Sequence, residues 1–334
     1  MACCSATRPP HCAIKYGPEL PPIPPIGQSP GVGLFRRSGD NRLWLFRRAW
    51  EPSDPSQAWA TLMIVHGTVD HSGVYAELAE RLSAKGIAVF ATDMRGWGLS
   101  DGEQLYFHDI EVFAQDVLDD YARIHGPGAP YAHVTSRFLL GKSIGGPITT
   151  WAATAHPDMW AGLLGLSGAY QVDPAQKPSC LLTTVLTVVA ACAPKLPVRE
   201  AFDPALIVSD PVALKQWEQD PLVSRGKLTS GYGLELLRVT DALPQRVQAL
   251  RLPVLMQWGT GDKVVTEAGH QMMFKASPDQ RSRFLKYPGG FHNLLAEPNL
   301  KNQVMADIEA WIELVGKGPP VAPPLGLNCL GKAQ

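Results

Sequence analysis

The chain has 334 residues, 45% hydrophobic and 18% charged, with a formal net charge of −1. That is enough apolar material for one large core, and a charge so near zero gives no general pull toward nucleic acid. The histidines are dispersed and no C-x-x-C occurs, so neither a metal site nor a cofactor is expected.

Residues 1–40 open the chain with Pro9-Pro10, Pro21-Pro22 and Pro24-Pro25 and read as a tail outside the core. Cys3 and Cys4 fall in this tail, which is their plain reading; palmitoylation is the other. The six cysteines (Cys3, Cys4, Cys12, Cys180, Cys192 and Cys329) are too irregularly spaced for a disulfide framework. With no apolar signal segment visible, a cytoplasmic setting is expected.

Beyond the tail, strand and helix patterns alternate. Strand-like runs fall at residues 43–48, 60–65, 87–92, 137–140, 163–167, 253–258 and 283–287, and helical patterns at 74–84, 110–124, 144–156, 266–275 and 303–315. Such alternation predicts an α/β fold, a mostly parallel sheet covered by helices on both faces. Residues 41–169 and 251–316 carry this core. Residues 170–250 interrupt it with helical stretches and no clear strand, and read as an inserted helical cap. Residues 317–334, with Pro319-Pro320 and Pro323-Pro324, form a second tail.

Within the cap, residues 180–192 (CLLTTVLTVVAAC) are almost wholly apolar. The run is too short to span a bilayer, which takes about 20 residues. One reading is a buried cap helix. The other is a lipophilic lid whose Leu182 and Leu186 line an acyl pocket, with peripheral membrane contact through the cap. Trp217 is a further expected pocket residue.

The chemistry is written after three strands. Residues 135–140 end in Gly141-Lys142-Ser143-Ile144-Gly145-Gly146 and turn at once into a helix, with Pro147 in its first turn, where a missing N–H costs little. G-x-S-x-G in that setting is a nucleophile elbow: the turn strains the serine, and flanking glycines avoid a Cβ collision. The strand at 253–258 breaks into Gly259-Thr260-Gly261-Asp262, and that at 283–287 into Pro288-Gly289-Gly290-Phe291-His292. Asp262 alone could be a turn former and His292 a surface residue. Together, in the order Ser, Asp, His beyond strand C-terminal ends, they form a candidate triad with Ser143. The strand at 60–65 runs into His66-Gly67-Thr68, which assigns an oxyanion hole to the Thr68 and Ile144 amides, the latter at a helix N-terminus. His66 reads as a structural histidine fixing this loop.

At these motifs the chain resembles a known family. His66-Gly67-Thr68-Val69-Asp70-His71-Ser72-Gly73-Val74-Tyr75 is similar to the H-G-x-G-E-H-S-x-R-Y signature of monoacylglycerol lipases and related serine hydrolases of the serine aminopeptidase S33 type. Asp93-Met94-Arg95-Gly96-Trp97-Gly98-Leu99-Ser100-Asp101-Gly102 resembles the family's D-x-R-G-H-G-x-S-x-G loop, and Asp220-Pro221-Leu222 its D-P-L segment. The resemblance runs from about Asn41 to Val315. It implies an α/β-hydrolase fold that cleaves carboxylic esters of lipophilic acyl chains through an acyl-enzyme on Ser143.

Four departures bear on the alcohol half of the substrate. Lys142 stands where the family has His, Glu or Gln, Asp70 where it has Glu, Val74 where it has Arg, and Leu295 where monoglyceride lipases tend to place a second histidine. Asp70 and Leu295 join the expected pocket residues on this ground. Lysophospholipase, acyltransferase or phenolic-ester esterase chemistry stays open beside monoacylglycerol lipase, as does a non-catalytic binder of a lipophilic ligand. A dehalogenase or epoxide hydrolase would need aspartate at position 143. Oligomeric state is not legible.

Overall fold

A computed structural model of the protein describes residues 32–174, 177–200 and 203–318. In chain order the core begins with β1 (Val32–Arg37), β2 (Trp44–Trp50), β3 (Ala60–Val65), α1 (Ala76–Ser83), β4 (Ile87–Thr92) and α2 (Ile110–His125). It continues with β5 (Ser136–Lys142), α3 (Gly145–Ala155) and β6 (Gly162–Leu166). An insertion follows, holding α4 (Cys180–Cys192), β7 (Pro197–Glu200), α5 (Pro211–Gln219), β8 (Lys227–Thr229) and α6 (Ser230–Arg246). The core closes with β9 (Val254–Gly259), α7 (Glu267–Ala276), β10 (Arg283–Tyr287) and α8 (Lys301–Lys317).

The main sheet has eight strands in the order β1-β2-β4-β3-β5-β6-β9-β10. β1/β2 and β2/β4 are antiparallel and the other pairs parallel. Strands covered on both faces read as continuous apolar runs, and β3 (ATLMIV) is buried along its whole length. Its alternation sorts the core into two layers: Met63 and Val65 pack with residues of α2, α3, α6 and α7, while Leu62 and Ile64 pack with α1 and α8. This is the α/β-hydrolase architecture. The chain passes from β3 out to β4 and returns across β3 to β5, so the order reverses at β3/β5. That reversal opens a crevice at the strand C-termini.

Two expectations need correction. Val32–Arg37, expected within the tail, is β1, pairing with β2 from Val32↔Ala49 to Arg37↔Trp44. Its two arginines hid it. Arg36 is buried because its Nε meets Asp120 Oδ1 at 2.6 Å and its Nη2 donates to the carbonyl of Asp116, 80 positions away in sequence. Residues 1–31 and 319–334, with Cys3, Cys4, Cys12 and Cys329, lie outside the described residues. The insertion was expected without strands, but β7 and β8 form an antiparallel pair with a register shift at Pro197/Arg199. Short length and a proline at the strand start erased the period-two signal.

Among the described residues no helix is long and apolar enough to cross a membrane.

Candidate active site

β5 delivers Ser143 into the crevice. Ser143 has φ +50°, in the left-handed region, which stores strain on the order of 1–3 kcal/mol in a non-glycine residue. The turn is over-determined around it: the Ser143 amide donates to Leu166 O at 3.2 Å, and its carbonyl accepts from Gly146 and Ala169, each at 2.9 Å. The flanking glycines are obligatory. A Cβ on Gly141 would lie 2.3 Å from Gly145 O, and one on Gly145 would lie 2.1 Å from Val65 O.

His292 and Asp262 arrive on the loops after β10 and β9, adjacent parallel strands. His292 Nε2 is 3.1 Å from Ser143 Oγ, and Nδ1 is 2.9 Å from Asp262 Oδ2. The other carboxylate oxygen, Oδ1, accepts from the Val264 amide at 2.7 Å and the Val265 amide at 3.1 Å. Burial alone would raise the Asp262 pKa, but the charge and hydrogen bond of His292 and these two amides hold it below the usual carboxylate value. An ionised Asp262 is an acceptor only, so Nδ1 carries the imidazole proton and Nε2 presents its lone pair to the Ser143 hydroxyl.

The third wall is the loop after β3. Gly67 approaches the elbow so closely that a Cβ there would lie 3.0 Å from Ser143 Cβ. His66 Nδ1–H donates to Gly67 O at 2.7 Å, and its Nε2 accepts from the Met94 amide at 2.9 Å. Full burial lowers the His66 pKa, so the ring stays neutral in this bracing role. Trp97 Nε1 donates to Thr68 O at 2.5 Å. The Asp93 carboxylate ties the loops together by accepting from Ser72 N at 2.6 Å and Leu99 N at 2.8 Å. His71 Nδ1 accepts from Gly73 N, so its Nε2–H donates to Asp220 Oδ2 at 2.9 Å and fastens the insertion to the same loop. Among the described residues the Thr68 and Ile144 amides donate to no protein group, and Ile144 caps the N-terminus of α3.

A cavity of about 370 Å³ opens onto Thr68, Ser143 and Ile144, with Tyr232 and Leu236 of α6 and Val265 among its walls. A second, of about 420 Å³, is lined by Lys142, Trp217, Leu295 and Val74. Trp217 and Leu295 thus share one cavity, and neither lines the one that holds Ser143. Trp217 Nε1 donates to Val69 O at 3.1 Å. Asp70 is buried and pairs with Lys142, Oδ2 to Nζ at 2.6 Å, both side chains 1% exposed.

Leu182 and Leu186 do not line either cavity. Leu182 is 57% exposed, and Leu186 packs toward α6 near Gly233. The reason is helical geometry: α4 lays the face of Thr183, Leu186 and Ala190 toward α6, which turns Leu181, Leu182, Val185 and Val188 outward. Tyr232 of α6 is a cavity residue that no sequence motif marks; its one local signal is the N-cap Thr229 ahead of it, whose side chain accepts from the Tyr232 amide.

A doubly wound sheet with a strained serine, a hydrogen-bonded histidine and a buried aspartate at its C-terminal edge defines a serine hydrolase of the α/β-hydrolase class. Residues 56–299 match the family described as serine aminopeptidase, S33 (Hydrolase_4), and the chain belongs to that family. It is 30% identical over 264 residues to the monoacylglycerol lipase of Mycolicibacterium smegmatis, covering 79% of this chain and 90% of that protein. It is 30% identical over 274 residues to the human monoglyceride lipase, covering 80% and 86%. Among solved structures, the monoacylglycerol lipase of Paleococcus ferrophilus superposes with a TM-score of 0.70 at 23% identity, over 80% of this chain and 98% of that one, a likeness of fold.

Proposed function

We propose that Ser143, His292 and Asp262 hydrolyse esters of lipophilic acyl chains, foremost monoacylglycerols, through an acyl-enzyme on Ser143. The enzyme is a carboxylic ester hydrolase, like the relatives it matches. The observation that carries the mechanism is the unbroken Asp262–His292–Ser143 hydrogen-bonded line, beside which the Thr68 and Ile144 amides donate to no protein group among the described residues. His292 Nε2 takes the Ser143 proton as Oγ attacks the ester carbonyl, and Asp262 stabilises the imidazolium that forms. The oxyanion lodges against the Thr68 and Ile144 amides, and the N-terminus of α3 adds a favourable dipole. The alcohol leaves with the proton from His292, and water repeats the sequence on the acyl-enzyme.

The insertion acts as a cap over the Ser143 cavity, since α6 supplies Tyr232 and Leu236 to its wall. Profiling against monoacylglycerols, lysophospholipids and aromatic esters tests the substrate class. Medium and long acyl chains are expected to outrun acetyl, and a profile peaking at acetate sinks the reading. A second reading, aromatic alcohols in place of glycerol, is favoured by Val74, Trp217 and Leu295 in the cavity that Lys142 also lines. The same panel decides it.

The cap also touches membrane through α4. Leu181 is 76% exposed, Val185 49% and Val188 59%, and they recur at i, i+4 and i+7 on one helical face. The triple change Leu181→Glu/Val185→Glu/Val188→Glu is expected to reduce co-sedimentation with phosphatidylcholine vesicles about tenfold or more, since each buried side chain contributes over 1 kcal/mol. Turnover of a water-soluble ester should persist. Undiminished vesicle binding would rule the contact out.

A further inference from the structure

The hydroxyls of Thr68 and Tyr232 meet at 2.5 Å inside the cavity that holds Ser143 and Ile144. Both residues are buried, 1% and 2% exposed. Two hydroxyls carry two protons, and one bond between them uses only one. Among the described residues neither oxygen has a second partner, so one O–H stands in the cavity without an acceptor. Native interiors leave few such donors.

Chemistry decides which hydroxyl it is. A phenol is the stronger donor and the weaker acceptor of the two, and burial raises the Tyr232 pKa far above its ordinary value, so the phenol keeps its proton. Tyr232 therefore donates to Thr68 Oγ1, and the unspent proton is on Thr68, polarised by the bond behind it. Tyr232 is held for this task. Its amide donates to Thr229 Oγ1 at 3.2 Å, the Thr229 hydroxyl donates to Leu105 O at 3.0 Å, and its ring tilts against Phe107 at 5.5 Å. Thr68 is fixed from its other side by Trp97, and its own amide is one of the two assigned to the developing charge.

We propose that the Thr68 hydroxyl is a third donor to the oxyanion and that Tyr232 is the residue positioning it; this rests on the ester-hydrolase reading of Ser143. As Ser143 Oγ bonds to the carbonyl carbon, its proton passes to His292 and the carbonyl π pair moves onto oxygen. Thr68 keeps its proton and hydrogen-bonds that oxygen. When the tetrahedral species collapses, the pair returns to the carbonyl, the C–O bond to the alcohol breaks and the alcohol takes the proton of His292. The ester carbonyl carries less charge before attack, so the third bond strengthens in the transition state and acts on kcat.

Thr68→Val keeps the shape and the amide and removes only the hydroxyl. It is expected to lower kcat on p-nitrophenyl butyrate about 10- to 100-fold with KM within about twofold, and to weaken a trifluoromethyl ketone inhibitor by the same factor. Thr68→Ser should recover most of the loss, and Tyr232→Phe should lose about 3- to 10-fold. Thr68→Val also strands the Tyr232 phenol, so the double variant Thr68→Val/Tyr232→Phe should regain thermal stability without regaining rate. A rate that returns with the stability, or a Thr68→Val kcat within about threefold of wild type, overturns the proposal. Fluorophosphonate labelling separates the two claims: if Ser143 still labels while Thr68→Val is neutral, only the third donor falls, and if Ser143 does not label, both fall.

Discussion

Ser143→Ala is expected to lower p-nitrophenyl ester hydrolysis by roughly 10⁴–10⁶-fold while leaving the melting temperature nearly unchanged. The substitution removes the atom 3.1 Å from His292 Nε2 and nothing that packs. Alanine meets the same φ of +50° that serine already bears, and the backbone bonds to Leu166, Gly146 and Ala169 do not involve the hydroxyl. Residual turnover reports what the oxyanion donors and binding supply without a nucleophile. Asp262→Asn should approach the same depth, about 10⁴-fold, for a different reason. The amide oxygen of an asparagine there stays with the Val264 and Val265 amides, which need an acceptor. Its NH₂ then faces His292 Nδ1, forcing the imidazole proton to Nε2, where it points at Ser143 and blocks proton abstraction. Either variant retaining activity within about tenfold of wild type would remove the triad assignment.

The elbow could be found in the sequence because its demands are local. Ser143 must take a positive φ, and its neighbours must lack a Cβ, so the constraint is written within a few residues. The same holds for β3 and β4, whose apolar runs coincide with the strands because burial on both faces leaves no other composition open. What failed was long-range. β1 hides behind Arg36, whose buried partner carboxylate, Asp120, lies on α2. The outward face of α4 was unreadable because a helix that is apolar all round has no period to say which side packs. Lys142 and Asp70 each stood out as a departure from the family pattern, but only the fold brings them together, 72 positions apart.

That pair carries the largest stability effect. Lys142 and Asp70 are each 1% exposed, Nζ and Oδ2 are 2.6 Å apart, and Asp70 Oδ2 also receives the Gly67 amide at 3.3 Å. Lys142→Met leaves a buried carboxylate without its cation, which costs about 3–5 kcal/mol and lowers the melting temperature by roughly 6–20 °C. Asp70→Leu/Lys142→Met removes both charges and should recover most of that loss, because an ion pair replaced whole by apolar side chains is near neutral. The pH dependence follows from Asp70. Burial acts to raise its pKa, but Lys142 outweighs it and holds the carboxyl below its ordinary value. In the wild type the pair's contribution is therefore complete above about pH 4 and fades only as pH falls toward the lower folded value. In Lys142→Met the opposing cation is gone, burial acts alone, and the Asp70 pKa rises above that of the unfolded chain. The variant is then most destabilised near neutral pH and recovers on acidification, as the buried carboxyl takes up a proton. Melting temperatures of the two proteins should therefore converge between about pH 7 and pH 5, and a gap that stays constant over that range would show that the charge of Asp70 is not what Lys142 neutralises.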